Sequence, residues 1–330
     1  MRTHCLVTLR AAAALAALFL FPLTVACAAD APLDLAALAA KPLEVANNYT
    51  TEVTLKYFKN TKKVAIVMAA VTFKLESNVS TKATNVLGGS HTGIATNAMT
   101  MQLNGVSREA LQQIADGFHD QLEADFRAMG VEVIPMATVR ASPKFAALAA
   151  CNDDAPRKPY VNKNYGGTRA TLVTMTGHGM PLFGTGMTMI GPVKAMMYMC
   201  MDLGSDVTAV YANVTVDFVE MGGSGGLLAS SADVYGKPLL NIPLWAVIGF
   251  NNLKGGGAIG MRKPIQVTTD FGAQVKEAGS VRLTDWFGGN MAGRSTYVVD
   301  ADEGKFVSGV GGLLKGVSVM FTARIKEKGR

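Results

Sequence analysis

A chain of 330 residues has enough material for one large domain or two small ones, each with its own hydrophobic core. The formal net charge of +6 is mild, and no block of Lys and Arg concentrates it, which argues against a nucleic-acid partner. After residue 28, Gly and Pro interrupt every apolar run before it reaches the ~18 residues of a transmembrane helix.

The first 28 residues have the three regions of a secretory signal peptide. Arg2 and Arg10 form a positive beginning, residues 11–20 form a short apolar run, and Ala26-Cys27-Ala28 matches a small-residue cleavage site. The sequence therefore predicts cleavage after Ala28 and export to the periplasm, the outer membrane or the medium. An alternative stays open: residues 23–27 loosely match a lipobox, in which case Cys27 would be lipidated and would anchor the protein.

Two cysteines, Cys151 and Cys200, remain after that cleavage. In an oxidising compartment a single pair of cysteines predicts one disulfide. The alternative is a pair of buried free thiols.

The chain order predicts an α+β fold with a mixed sheet packed by amphipathic helices and a β-rich C-terminal portion. Residues 29–50 are interpreted as a tether with a short helix at 33–38, and residues 51–59 as an edge strand. Residues 64–73 are an almost continuous apolar run, typical of a central strand covered on both faces. The predicted divisions are an α+β domain over 51–221 and a β-rich region over 222–330, separated by a Gly-rich break at 222–226.

Residues 77–106 form an unusual insert, because no charged residue occurs between Lys82 and Arg108. Its Gly-Gly and Thr-Gly pairs favour turns between short strands. Long loops inside a compact domain are commonly functional. The insert is therefore interpreted as a hairpin that meets a membrane, a partner chain or a ligand, with a self-packed surface loop as the alternative.

Residues 107–129 carry the clearest helix signal in the chain. Ser107 is a suitable N-cap, and Gly130 suits the left-handed position after the last turn. His119 is expected to be exposed on this helix. The apolar residues that recur at spacings of three and four are Leu111, Ile114, Phe118, Leu122, Phe126 and Met129.

This strand–helix–strand order resembles a domain of bacterial envelope proteins. The residues that carry the resemblance are Lys63-Val64-Ala65-Ile66-Val67, Phe73, Leu111, Leu122, Phe126 and Gly130-Val131-Glu132-Val133-Ile134. They are similar, over about eighty residues, to the curli-secretion lipoprotein family, the TolB amino-terminal domain and the penicillin-binding-protein activator lipoproteins. The resemblance implies a non-enzymatic envelope scaffold or secretion accessory.

The second half of the chain begins with a helix expected from Pro192 to Leu203, ended by Gly204. Residues 207–221 alternate apolar and polar side chains as a strand does. Further strands are predicted at 227–231, 244–250, 265–271, 281–286, 295–299 and 317–325.

Local motifs for catalysis or cofactor binding do not occur in the sequence, so no enzyme activity and no cofactor are predicted. The methionines stand out, since eight of the 18 lie between Met175 and Met201. Thioether and imidazole ligands select Cu(I), which makes His178, Met180, Met196 and Met199 candidate copper ligands. The alternative is that these methionines fill an irregular core or an adaptable contact surface.

The function expected from the sequence is therefore a non-enzymatic cell-envelope scaffold, assembly factor or secretion accessory. Its expected partner is an envelope protein or a second copy of itself, with contact to the outer membrane as a further option. The alternative function is a periplasmic binding protein for copper or a small ligand, acting through residues 175–201.

Overall fold

The computed structural model describes residues 33–87, 90–165, 168–183, 190–224, 226–227, 233–267, 269–276, 280–281 and 290–328. The helices are α1 (Leu35–Ala40), α2 (Pro42–Tyr49), α3 (Arg108–Ala128), α4 (Met136–Ala141), α5 (Phe145–Ala149), α6 (Ile190–Leu203) and α7 (Glu303–Lys328). The strands are β1 (Thr50–Val53), β2 (Lys63–Leu87), β3 (Ser90–Asn104), β4 (Glu132–Val133), β5 (Tyr160–Tyr165), β6 (Thr168–Thr176), β7 (Val207–Ser224), β8 (Gly226–Leu227), β9 (Asp233–Ile242), β10 (Ala246–Asn252), β11 (Gly255–Met261), β12 (Ile265–Val267), β13 (Gly272–Lys276), β14 (Ser280–Val281) and β15 (Asn290–Ala301). The signal peptide predicted over 1–28 lies outside the described residues.

The fold is α+β, as the sequence predicts, and β2 is its central strand. The first part of β2 pairs in parallel with β7, from Lys63 opposite Val207 to Phe73 opposite Val216. The other edge of β2 carries β4 and then β6. The main sheet runs β1-β11-β10-β7-β2-β3-β15-β13, so it mixes parallel and antiparallel pairs.

Both faces of the first part of β2 are buried, because its residues alternate between two hydrophobic clusters. Val64 and Ile66 pack on the face covered by α3 and α7, whereas Ala65 and Val67 pack on the face covered by α6. A register shift between Ile66 and Met68 breaks the alternation, and Met68 consequently packs in the same cluster as Val67. The prediction of a doubly covered central strand is confirmed.

Helix α3 confirms the predicted 107–129 helix in its boundaries and its buried face. The Ser107 side chain accepts a hydrogen bond from Ala110 N, and Gly130 has a left-handed φ of 75°. The apolar stripe faces the sheet, with Phe118 and Phe126 at most 2% exposed. Burying side chains of this size contributes about 1.5–3 kcal/mol each, before the opposing conformational entropy.

Helix α7 corrects the prediction of a strand at 317–325, because these residues continue a long helix. The residues of α7 with apolar side chains in the core recur at helical spacing: Phe306, Val310, Leu313, Leu314, Val317, Met320, Phe321 and Ile325. Among the described residues, α7 is the one helix long and apolar enough to cross a membrane. A buried core helix meets the same criteria, and α7 packs against α2 and α3.

The short helix predicted at 33–38 corresponds to α1, but the tether prediction is wrong, because residues 35–49 form the two helices α1 and α2. Leu38 and Ala46 are buried in the main core, and the Asp34 side chain caps α1 by accepting hydrogen bonds from Ala36 N and Ala37 N. The predicted edge strand at 51–59 is shorter than expected. Only its beginning lies in β1, and a 3-10 turn follows at Leu55–Phe58.

The uncharged insert forms a long hairpin of β2 and β3, as one interpretation of the sequence predicted. The two strands pair from Glu76 opposite Gln102 to Leu87 opposite Ser90. Strand β15 then adds to β3 in parallel along its whole length. The hairpin is therefore part of a wider sheet.

Residues on both sides of the proposed boundary at 221/222 contribute to one hydrophobic core. Strand β7 continues through most of the Gly-rich break to Ser224 and pairs with β9. The division into 51–221 and 222–330 stays a prediction. The strands predicted at 227–231 and 281–286 lie mostly outside the described residues.

Candidate functional site

A 3-10 turn at Gly177–Gly179, directly after β6, presses His178 against helix α3. His178 has left-handed backbone angles, φ 51° and ψ 33°, which are uncommon for a residue with a side chain. A Cβ on Gly177 would lie 2.5 Å from the Cβ of His119, so only glycine permits this approach. The local sequence Gly-His-Gly thus places one imidazole on the surface of α3.

His178, Asp120 and His119 form a cluster in which one carboxylate oxygen serves two imidazoles. Asp120 Oδ1 lies 2.7 Å from His178 Nε2 and 3.3 Å from His119 Nδ1. The two imidazole rings are nearly perpendicular, with centroids 5.0 Å apart. His119 is buried, whereas the side chains of His178 and Asp120 are 40% and 61% exposed. The cluster is therefore a shallow surface site with one buried member.

The surroundings of His119 and Asp120 favour a neutral His119 imidazole beside an ionised Asp120 carboxylate. Burial lowers the pKa of His119, and its hydrogen bond to Asp120 only partly opposes this. Burial alone would raise the pKa of Asp120, but the hydrogen bonds to His178 and His119 outweigh it and hold the pKa below its ordinary value. Neutral imidazole nitrogens and a carboxylate oxygen are ligands for divalent transition metals.

Further side chains fix the backbone of the turn on both sides of His178. Asp116 Oδ1 accepts hydrogen bonds from His178 N at 2.6 Å and from Gln112 Nε2 at 2.8 Å. Gln112 Nε2 also donates to Thr176 O, and Arg140 donates to His178 O at 2.7 Å. The position of the His178 imidazole is thus determined by contacts with α3 and α4.

Sequence reasoning missed this cluster, and its expectation that His119 is exposed is wrong. His119 is 5% exposed because the 3-10 turn covers it. The turn and the helix are about sixty residues apart in the chain, so helix periodicity could not reveal the contact. The only sequence signal is the pair of glycines on either side of His178.

The four candidate copper ligands are not brought together. Met180 packs in the cluster on the α3 face of β2, whereas Met196 and Met199 pack in the cluster on the α6 face. All three methionines are at most 1% exposed and fill the core. Only His178 stands beside other metal-binding residue types, and its neighbours are not methionines.

The predicted disulfide between Cys151 and Cys200 is not formed. Both residues are free thiols with separate hydrogen-bond acceptors: Cys151 Sγ lies 3.4 Å from Ala147 O, and Cys200 Sγ lies 3.6 Å from Asn251 O. Burial raises the pKa of Cys200 to about 11. Helix α6 directs Cys200 into the core, where its thiol faces Asn251 O, whereas the thiol of Cys151 faces Ala147 O.

A second candidate site lies at the far end of the sheet, where three segments of the sequence without Asp, Glu, Lys or Arg meet. These segments are 83–98, 221–232 and 286–293. Ala83 pairs with Gly226 on one side and with Ala95 on the other, and Ala95 pairs with Met291. We call the described residues 83–87, 90–98, 226–227 and 290–293 the uncharged end.

Two basic residues mark where the charges resume. Lys82 pairs with Thr96, and Arg294 pairs with Ala98. By this register the two basic side chains share one face of the sheet, and both are exposed. The strand β2 runs about 30 Å from its last pair with β6 at Asn78 to its end at Leu87. The uncharged end is therefore set well apart from the helical layers.

Comparison with known protein families, with curated proteins and with solved structures finds no match to this chain.

Proposed function

We propose that this protein is a non-enzymatic scaffold, assembly factor or secretion accessory of the cell envelope, and that it associates with further copies of itself through the uncharged end. The observation that carries the proposal is the hydrogen-bonded row Gly226–Ala83–Ala95–Met291, which joins three uncharged segments distant in the chain.

The physical argument concerns strand edges and charge. Soluble proteins commonly protect sheet edges with charged side chains, because an open edge pairs with other chains. Among the described residues, the 79–82 segment of β2 pairs on one side only, with β3. Beyond Lys82 no charged residue follows in β2 or in β3. Lys82 is therefore the one charged side chain on the open segment, and two copies that approach at the uncharged end can add strands to each other there.

The envelope location rests on the sequence. The signal peptide predicted over 1–28 directs export, and the resemblance of residues 63–134 to envelope lipoproteins supports an accessory role. A β-rich end without charges also suits contact with a membrane once its edges are paired within an assembly, since unpaired edges are excluded from lipid.

Self-association is tested by sedimentation velocity over a range of protein concentrations. Ser80 is exposed on the open edge of β2 that leads into the uncharged end, so Ser80→Lys would add a second charge, two residues from Lys82, on the edge where a strand of another copy would pair. We expect wild-type protein to form oligomers and Ser80→Lys to weaken them at least about tenfold. The matched control is Ser205→Lys, at an exposed turn before β7, which should assemble as wild type does.

Two results would overturn the proposal. One is a wild-type protein that stays monomeric at every concentration, with and without vesicles of envelope lipid. The other is equal weakening by Ser80→Lys and Ser205→Lys.

The location is tested separately by the intact mass of protein recovered from cell fractions. We expect an envelope fraction whose chain begins at Ala29. A diacylated Cys27 at the amino terminus would instead identify a lipoprotein, which is also an envelope protein. An unprocessed chain in the cytosol would contradict the envelope role.

A further inference from the structure

The cluster on helix α3 has the residue types, spacing and support of a metal centre. We propose that His119, Asp120 and His178 bind one divalent transition-metal ion, with Zn²⁺ as the matching probe. One ligand atom from each of the three residues lies within 4.8 Å of the other two. Two imidazoles and one carboxylate would leave a fourth position for water or for a further ligand.

The two distances from Asp120 Oδ1 to the imidazole nitrogens are close to those around this ion. Bonds of about 2.0–2.1 Å to a tetrahedral Zn²⁺ place neighbouring ligand atoms about 3.3 Å apart. His119 Nδ1 lies 3.3 Å from Asp120 Oδ1, and His178 Nε2 lies 2.7 Å from the same oxygen. A slight opening of the second contact admits the ion. The imidazole nitrogens that face Asp120 must then be unprotonated, so each ring carries its proton on its other nitrogen.

The backbone around His178 supplies an independent argument. A left-handed conformation at a residue with a side chain disfavours the fold by about 1–2 kcal/mol, yet here two contacts hold it. Asp116 accepts from His178 N, and Arg140 donates to His178 O. The glycine before His178 lets the turn approach His119 directly. Such a rigid support of the ligand residues is characteristic of metal centres.

The competing explanation is a hydrogen-bonded network that merely fastens the turn to α3. A network of that kind requires only one contact between the turn and the helix, and Asp116 already provides it through His178 N. Attachment of the turn to α3 does not explain why His178 and His119 both approach one oxygen of Asp120. It is explained if that oxygen and the two nitrogens share a cation.

The test uses the full mature chain, stripped of metal and titrated with Zn²⁺ in competition with a chromogenic chelator. We expect one equivalent of Zn²⁺ to bind, and Co²⁺ to give the intense visible absorption of a four-coordinate site. His178→Ala and Asp120→Asn should each weaken binding at least about tenfold. Both side chains are substantially exposed, so both variants should fold, which circular dichroism checks.

The matched control is His91→Ala, because residue 91 lies in strand β3 of the β2–β3 hairpin. This variant should bind Zn²⁺ as wild type does. The proposal is overturned if wild type binds no more tightly than His178→Ala, or if His91→Ala removes the binding. Neither result bears on self-association, which is measured by sedimentation.

Discussion

The two halves of strand β2 follow different rules although they are one continuous strand. From Lys63 to Phe73 the strand pairs on both edges for much of its length, and all but one of the residues from Val64 to Phe73 are fully buried apolar side chains. From Glu76 onward it pairs with β3, and Ser80 and Lys82 are exposed. The first half is a core strand between helical layers, and the second half is a projecting hairpin.

The change occurs where β7 leaves β2. The last β7 pair is Phe73 opposite Val216, and in the next step Lys74 and Asp217 form a buried ion pair. Lys74 also reaches Ser77, and Asp217 accepts a hydrogen bond from Val219 N. Two charges buried together are costly unless they are paired. The Lys74–Asp217 ion pair lies where β7 stops pairing with β2. From Glu76 onward β3 pairs with the same edge of β2.

The largest predicted effect tests whether the α6 face of the first half of β2 is closed to solvent. The measurement is the relative reactivity of the thiols of Cys151 and Cys200. Cys200 packs on the α6 face of β2 with no exposed surface, whereas Cys151 is partly exposed. The reactive species is the thiolate, and burial raises the pKa of Cys200 to about 11. We expect iodoacetamide to label Cys200 at least about 1,000-fold more slowly than Cys151 in native protein, measured by mass spectrometry of peptides.

Unfolded protein supplies the control, since both cysteines should then react at similar rates. Equal labelling in the native state would mean that the α6 face is open. If neither cysteine reacts until a reductant is added, the disulfide expected from the sequence exists after all.

The next largest effect concerns the Lys74–Asp217 ion pair, which lies at the junction between the two halves of β2. Lys74→Met would leave the Asp217 carboxylate buried without its cation, and we expect a loss of about 3–5 kcal/mol in the free energy of unfolding. Burial raises the pKa of Asp217 even with Lys74 present. Without Lys74 the folded state would bind a proton more readily than the unfolded state. The variant should therefore lose stability as pH rises and regain part of it on acidification.

Urea denaturation at several pH values measures this, and Lys74→Met/Asp217→Asn is the control. That double variant removes both charges and keeps an acceptor for Val219 N, so it should recover most of the stability without the pH dependence. A single variant as stable as wild type at neutral pH would show that the junction is solvated and that the two halves are not distinct.

The first half of β2 and helix α3 were predictable because their patterns are local. An apolar run of strand length, a Ser cap, a stripe at spacings of three and four and a terminal glycine each follow from the chain itself. Helix α7 was not predictable in this way. Val317, Val319, Phe321, Ala323 and Ile325 alternate like a strand. Packing against α2 and α3 nevertheless selects the helix, in which Val317, Met320 and Phe321 are buried.

The candidate sites depend on contacts between distant segments, which explains why the sequence revealed them only in part. The absence of charge between Lys82 and Arg108 pointed to a hairpin, but the addition of Met291 and Gly226 to the same row requires the sheet order. His119 was assigned to solvent because its neighbours on α3 gave no sign of the turn at His178. The methionines were a compositional signal. Core filling explains Met175, Met180, Met196 and Met199, which are buried, whereas Met201 is exposed.

The smallest predicted effect concerns two threonines, one in the first half of β2 and one in the β2–β3 hairpin. Thr72 lies in the first half of β2, and its buried hydroxyl is 2.9 Å from that of Thr174. Thr96 lies in β3 opposite Lys82 and is partly exposed. Replacing threonine by valine keeps the branched shape and removes the hydroxyl. We expect Thr72→Val to lower the free energy of unfolding by about 1 kcal/mol, and Thr96→Val to change it by less than about 0.5 kcal/mol.

Chemical denaturation of the two variants side by side measures the difference, with Thr72→Val/Thr174→Val as the third member. Thr174 also hydrogen-bonds Tyr160, so the comparison uses a Thr174→Val background. There the further change Thr72→Val breaks no hydrogen bond with Thr174, and it should cost less than Thr72→Val does in wild type. A loss at Thr96 as large as that at Thr72 would indicate that the uncharged end is packed like the core. The hairpin would then need no further copy to cover it, and the case for self-association through that end would fall.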